Sequence, residues 1–313
     1  MTQLELGPTA ATGKVKPLIS YYMGKQRIAS QIVALLPPHT VFGEPFAGGL
    51  AVLFAKGIPP ISNADNYRET VNDKETLLIN LYRTAVTEPE AFLTLVEGTP
   101  YSLAEYNKAA EVCRNPLRHT SLELALSYYI ICRQSFAQKP FGGWGRGVAT
   151  RNMAATWDKK RQEATAAVSR LRRVHFDCVD ALDFIRLWDA PQTVFYCDPP
   201  YPETEQGMRG KVYTQADFER LVSALDTCQA SFLLSCYDNP AIPQSWERFE
   251  IAAVSSASNG RHKAGRGRRK EVVWRVDRSQ HVTDGRVAPY LWTPAAPAKA
   301  KTFPEKPLRL FDE

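Results

Sequence analysis

The sequence predicts an α/β fold: a mixed, mainly parallel sheet interrupted by a helical insertion over residues 80–164. Three patterns predict it. A strand-like segment, TVFGEPF (40–46), runs into Ala47-Gly48-Gly49 and then a helical start, LAVLFA (50–55). This strand, small-residue turn and helix is the opening unit of a nucleotide-binding sheet. Between 80 and 164 the apolar spacing is helical, in EPEAFLTLVEG, SLAEYNKAAEVCR and SLELALSYYIICRQS. Beyond it the α/β alternation resumes, which is how an insertion reads.

Taken in order, residues 1–15 are polar, and LISYY (18–22) leads through Gly24-Lys25 into a helical pattern, QRIASQIVALL (26–36), stopped by Pro37-Pro38. A second strand and turn appear in ETVNDKE (69–75), followed by the helix TLLINLYRTAV. The insertion ends in an aromatic, Gly-rich loop, KPFGGWGRGVATRN (139–152). Then come a helix at 157–171, a strand at VHFDC (174–178), a helix at ALDFIRLW, and a strand at TVFYC (193–197) that runs into Asp198-Pro199-Pro200-Tyr201. The helix QADFERLVSALDTC, the strand SFLLSCY, an irregular basic stretch and a late strand, EVVWRV (271–276), complete the domain. The expected division is a catalytic domain at 16–79 and 165–293, an insertion at 80–164 and a Pro/Ala-rich tail at 294–313.

Hydrophobic residues at 44% and charged residues at 23% describe an ordinary globular chain of 313 residues. The net charge of +6 points to a polyanionic partner only where the cations cluster, and Arg261–Lys270 holds six Lys/Arg in ten residues. None of the six cysteines forms a CxxC pair or stands at zinc-ligand spacing from a histidine, so no metal is expected. Scattered thiols, no apolar leader and no membrane-length run give a cytoplasmic expectation.

The chemistry concentrates at a few places. At Asp198-Pro199-Pro200-Tyr201 a carboxylate precedes two prolines, which lock φ and present carbonyls without a competing N–H. A carboxylate and a carbonyl can each accept one N–H of a conjugated amine and hold it toward tetrahedral geometry, while Tyr201 offers a stacking face. The plainer alternative is a strand-ending turn with a core tyrosine.

The turn Glu44-Pro45-Phe46-Ala47-Gly48-Gly49 lets a ligand approach the backbone, or packs a helix on the sheet. It is not GxGxxG, and no Lys-Ser/Thr follows, so a dinucleotide or ATP is disfavoured. Phe46 can face a cationic sulfonium or an adenine ring. Asp73 suits ribose hydroxyls and Asp180 an adenine contact, or each caps a helix. Lys25 suits a ligand carboxylate, or stands in solvent. Arg133, Gln134, Lys139, Phe141, Trp144 and Arg146 mix base-reading and stacking side chains in one segment, or plug a local core. Arg261, Lys263, Arg266, Arg268, Arg269 and Lys270 suit a phosphate backbone, or are a solvated loop.

Together YYMGK (21–25), EPFAGG (44–49), VNDKE (71–75), KPFGGWG (139–145), DCVDALDFI (177–185) and YCDPPY (196–201) resemble the Dam-like, class D12 (alpha-group) family of N6-adenine DNA methyltransferases, in that family's motif order. The resemblance implies a Rossmann-like S-adenosyl-L-methionine-dependent sheet with an inserted target-recognition domain. It implies that Tyr21, Gly24, Lys25, Glu44, Phe46, Gly48, Asp73 and Asp180 line the cofactor site. Asp198, Pro199, Pro200 and Tyr201 would hold an adenine flipped from double-stranded DNA, with the protein acting as monomer or homodimer. Methylation of RNA or a protein amide, and a silent DNA-binding relative, are the rival readings.

Overall fold

A computed structural model describes residues 15–21, 24–57, 67–147, 152–202, 213–251 and 271–279. The expected basic run at 261–270 and the tail lie outside the described residues.

Seven strands form one sheet: β1 (Val41–Glu44), β2 (Arg68–Asn72), β3 (Val174–Asp177), β4 (Thr193–Cys197), β5 (Ser231–Cys236), β6 (Glu247–Ile251) and β7 (Glu271–Val276). Their order is β3-β2-β1-β4-β5-β7-β6. The β3 to β5 half is parallel, and β7 and β6 add antiparallel pairs. β1 and β4 are buried along their whole length, as central parallel strands covered on both faces are. Gly43 is required where they meet, since a Cβ there would lie 2.7 Å from the Phe195 ring. The order runs outward in opposite directions from β1 and β4, so the carboxyl ends of these two strands flank the topological switch point, where open α/β sheets bind ligands.

One face of the sheet packs against α8 (Ala181–Trp188) and α9 (Gln215–Thr227), through Phe184, Phe195, Phe218 and Phe232. The other carries α1 (Ala29–Val33), α2 (Ala51–Lys56), α3 (Thr76–Thr87), α4 (Pro89–Gly98), α5 (Leu103–Arg114), α6 (Ser121–Gln134) and α7 (Met153–Leu171), which share one core with Phe42 and Val71. α6 starts in a Thr120/Glu123 capping box and buries Tyr128, Tyr129, Ile130, Ile131 and Cys132, a run too broad for a single amphipathic stripe. It is therefore the centre of the helical region. The Trp157 indole donates to the Thr99 carbonyl at 2.7 Å and ties α7 to the end of α4.

α7 returns the chain to the sheet through a buried charge cluster. Arg170 grips Glu69 on β2 with two nitrogens, at 2.6 and 2.9 Å, and Lys56 on α2 reaches the same carboxylate at 2.6 Å. His39, fully buried nearby, is held neutral, its pKa lowered to about 3 by burial and by Lys56.

Two elements differ from expectation. The helical pattern of 26–36 yields only five α-helical residues, because i to i+3 bonds (Ile28 N–H to Lys25 O, Leu36 N–H to Val33 O) tighten both ends. The stretch read as irregular contains β6, an edge strand whose charged ERFEI sequence carries no buried-strand signal.

Candidate active site

The turns that leave β1, β2, β3 and β4 converge on one cavity of about 570 Å3. Its floor is the glycine turn. Gly48 takes φ +44°, a left-handed conformation that glycine adopts freely. Its N–H donates to Asp73 Oδ2 at 3.1 Å, and its carbonyl accepts from the Tyr82 hydroxyl at 2.6 Å. Asp73 also accepts from the Glu75 N–H at 2.9 Å, and it is Glu75 that caps α3. Asn72 knots three turns: its amide donates to the Pro45 and Val179 carbonyls at 3.1 Å each and accepts from the Val179 N–H at 2.9 Å. Asp180 caps α8 through the Leu182 N–H at 3.0 Å, which with Lys74 holds its carboxyl below the usual range, and it also lines the cavity. Cap and ligand-facing position are therefore compatible at Asp180.

Glu44 closes β1 with its side chain 2% exposed, accepting from the Leu53 N–H at 2.8 Å in the first turn of α2. Burial, with the nearby Asp198 charge, pushes its pKa up to about 8. Phe46 and Tyr213 meet edge to face at 6.4 Å across the cavity wall. Tyr21 packs half-buried against Gly48 and Gly49, and desolvation raises its hydroxyl pKa well above normal.

At the other end stand Asp198, Pro199, Pro200 and Tyr201. Lys25 Nζ lies 2.8 Å from Asp198 Oδ1, 2.9 Å from the Tyr201 hydroxyl and 3.4 Å from Glu271 Oε1. The Tyr201 hydroxyl donates to Glu271. Burial opposes the charge on Lys25, but Asp198 and Glu271 outweigh it and leave the ammonium pKa raised. The Tyr201 ring is 4% exposed and packs edge-on against Tyr237 at 4.7 Å. Lys25, expected beside a ligand carboxylate, thus presents its ammonium to the Asp198 corner, while Gly24 lines the cavity next to it.

The segment expected to read bases divides. Arg133 is turned inward, its guanidinium donating to the Leu18 and Pro17 carbonyls and to Ser20 Oγ. Gln134 is fully buried and bonded to the Pro100 carbonyl and the Ser102 N–H. As the last turn of α6, both brace the fold instead of facing a ligand, which corrects their assignment to a base-reading loop. Lys139, with Pro140, lines the cavity. Phe141 sits half-buried near Tyr128, Trp144 packs on Tyr101 at 5.3 Å, and Arg146 is exposed. The six cations of 261–270 (Arg261, Lys263, Arg266, Arg268, Arg269 and Lys270) lie outside the described residues.

Sequence reasoning missed Glu271, Tyr82 and the bonding of Asn72. Nothing local marks Glu271, which reads as the first residue of a late strand. Within the same 133–146 segment Phe136 stands 67% exposed beside two left-handed residues, Ala137 and Gln138. Among the described residues no group of three or more His, Cys, Asp or Glu is placed to hold a metal, and no helix is long and apolar enough to cross a membrane.

Comparison with known proteins agrees with this geometry. The D12 class N6 adenine-specific DNA methyltransferase family matches residues 21–257. The Retron Ec67 DNA adenine methylase of Escherichia coli is 26% identical over 223 residues, 67% of this chain and 72% of that protein. The DNA N-6-adenine-methyltransferase of Escherichia phage P1 is 27% identical over 236 residues, 68% of this chain but only 29% of that longer protein. A putative methyltransferase of Escherichia coli, yhhF, overlays with a TM-score of 0.30 at 10% identity over 81% of each chain, too distant to add weight. With one family spanning both the glycine turn after β1 and the Asp-Pro-Pro-Tyr corner after β4, the chain belongs to the D12 class N6 adenine-specific DNA methyltransferases.

Proposed function

We propose that this chain transfers a methyl group from S-adenosyl-L-methionine to N6 of an adenine flipped out of double-stranded DNA. The observation that carries the reading is the single cavity joining the glycine turn to the Asp198 corner at the switch point of the sheet. Its 570 Å3 suits a ligand of nucleoside size. Asp73 and Asp180 supply acceptors for hydroxyl and amine donors, and Phe46 a ring for a flat base or a cationic centre. The residues present therefore fit the cofactor.

S-adenosyl-L-methionine, which Phe46, Asp73 and Asp180 would hold, would supply an electrophilic sulfonium methyl with a neutral thioether as its leaving group. The chain's part is to make a poor nucleophile attack. Asp198 and the Pro199 carbonyl each accept one N–H of the amine, drawing its lone pair out of conjugation. Their attraction grows as N6 becomes positive, so they favour the transition state over the ground state. Asp198 then takes the proton that N6 sheds. Pro200 stiffens the corner, and Tyr201 bounds the base pocket. Lys139 and Pro140, from the end of the helical region, reach the same cavity, which supports residues 80–164 as the part that reads DNA around the flipped base. The cations of 261–270 would add phosphate contacts.

The test is incubation of unmodified duplex DNA with the protein and labelled S-adenosyl-L-methionine, with mapping of modified adenines, and RNA and protein as controls. Asp198→Ala should lower transfer about a hundred- to a thousandfold, the order of losing a main charge-stabilising contact, with cofactor and DNA affinity retained. Label entering only RNA or protein, or full transfer by Asp198→Ala, refutes the reading.

A further inference from the structure

The catalytic corner contains one cation between two carboxylates. Lys25 Nζ has three N–H donors, and three acceptors surround it: Asp198 Oδ1 at 2.8 Å, the Tyr201 hydroxyl at 2.9 Å and Glu271 Oε1 at 3.4 Å. The ammonium also lies 5.0 Å from the centre of the Tyr201 ring. The Tyr201 proton goes to Glu271. All three charged side chains are mostly buried, at 9% exposure for Lys25, 22% for Asp198 and 17% for Glu271.

This arrangement conflicts with the task of Asp198. A carboxylate paired with an ammonium is already neutralised, so it stabilises little of the positive charge that develops on N6. Its Oδ1 is also occupied by a donor of the kind that the adenine amine must supply. Lys25 is in effect a stand-in for the substrate's amino group. For Asp198 to accept N6–H with its full charge, the ammonium must move to another anion, and Glu271 stands beside it, already oriented by Tyr201.

We propose that Glu271 is a positioning residue that takes the Lys25 ammonium from Asp198 when the target base enters. Lys25 then guards Asp198 in the free enzyme and releases it in the loaded one, and the corner never holds two uncompensated carboxylates. This role rests on the methyl-transfer reading above and assigns a part to a strand residue outside the Asp-Pro-Pro-Tyr motif.

The experiment is a double-mutant cycle of Glu271→Gln and Lys25→Met. It measures single-turnover N6 methylation of duplex DNA, together with cofactor and DNA dissociation constants and the thermal midpoint of each variant. In the wild-type background E271Q should slow single-turnover transfer about 10- to 100-fold while both dissociation constants stay within about threefold, because the handover accompanies base entry, after DNA and cofactor have bound and before the methyl moves. In the K25M background the same change should move the rate less than about threefold, because no ammonium remains for Glu271 to take. Equal losses in the two backgrounds, or an undiminished rate for E271Q alone, overturn the role. If E271Q does not fold, K25M against K25M/E271Q decides: a larger change overturns it, a rate within about threefold upholds it. A wild-type protein that methylates no adenine removes the function and this role together, whereas an active wild type with an indifferent E271Q removes this role alone.

Discussion

Glu69→Gln tests the clamp that returns α7 to the sheet. The Glu69 carboxylate is 4% exposed and is the shared partner of Lys56, at 2.6 Å, and Arg170, at 2.6 and 2.9 Å, both of them at 3% side-chain exposure or less. An amide of the same shape leaves two cations facing each other without a counter-charge. Removing one partner of a buried ion pair costs about 3–5 kcal/mol, and a charge pair near 4 Å is worth about 4 kcal/mol at an effective dielectric of 20. Lys56 limits the loss by shedding its proton, since burial already lowers its pKa. We expect E69Q to lose about 3–5 kcal/mol in urea unfolding at neutral pH with an unchanged slope. At roughly 2–4 °C per kcal/mol for a domain of this size, the midpoint falls by about 6–20 °C. The pH dependence has a definite sign. Burial alone would raise the Glu69 pKa, but Lys56 and Arg170 outweigh it and hold the carboxyl below its ordinary 4.5. Its contribution is therefore complete above pH 4.5 and fades as pH falls through the lower folded value, so the gap between wild type and E69Q narrows in acid. A loss under about 1 kcal/mol, or a gap that widens in acid, refutes the reasoning.

Two further outcomes follow from the cavity. Asp73→Ala removes the acceptor of the Gly48 and Glu75 N–H groups; cofactor affinity by calorimetry should fall about 10- to 100-fold, the worth of one or two charge-assisted hydrogen bonds, and unchanged affinity would place Asp73 outside the cofactor site. Glu44, with its pKa pushed from 4.5 up to about 8 by burial, holds a proton in the folded state that the unfolded chain releases. Wild-type stability should therefore decline by about 1.4 kcal/mol per pH unit across that window from this group alone, and Glu44→Gln should remove the decline in urea titrations at several pH values.

Much of the architecture is legible in the chain itself. β1 and β4 are short segments carrying Val-Phe pairs and are buried along their whole length, as doubly covered parallel strands are, and the small residues after β1 and the prolines after β4 mark turns through local sterics alone. Those turns are local in sequence, so their chemistry can be read there. β6 leaves no such mark because an edge strand needs few apolar residues, and α1 is shorter than its periodicity because apolar spacing does not say where 3-10 geometry takes over.

By itself the sequence determined the α/β order, the glycine turn, the acceptor-rich corner and the family motifs, since each is set by neighbouring residues. Only the tertiary structure decided which distant groups meet. It placed Lys25 between Asp198 and Glu271, and it turned Arg133 and Gln134 into the protein although their types suit DNA. The physical reason is that side-chain direction and pairing across 176 or 70 residues, as in Lys25 with Tyr201 or Tyr201 with Glu271, depend on strand order and helix packing, and no local pattern encodes these.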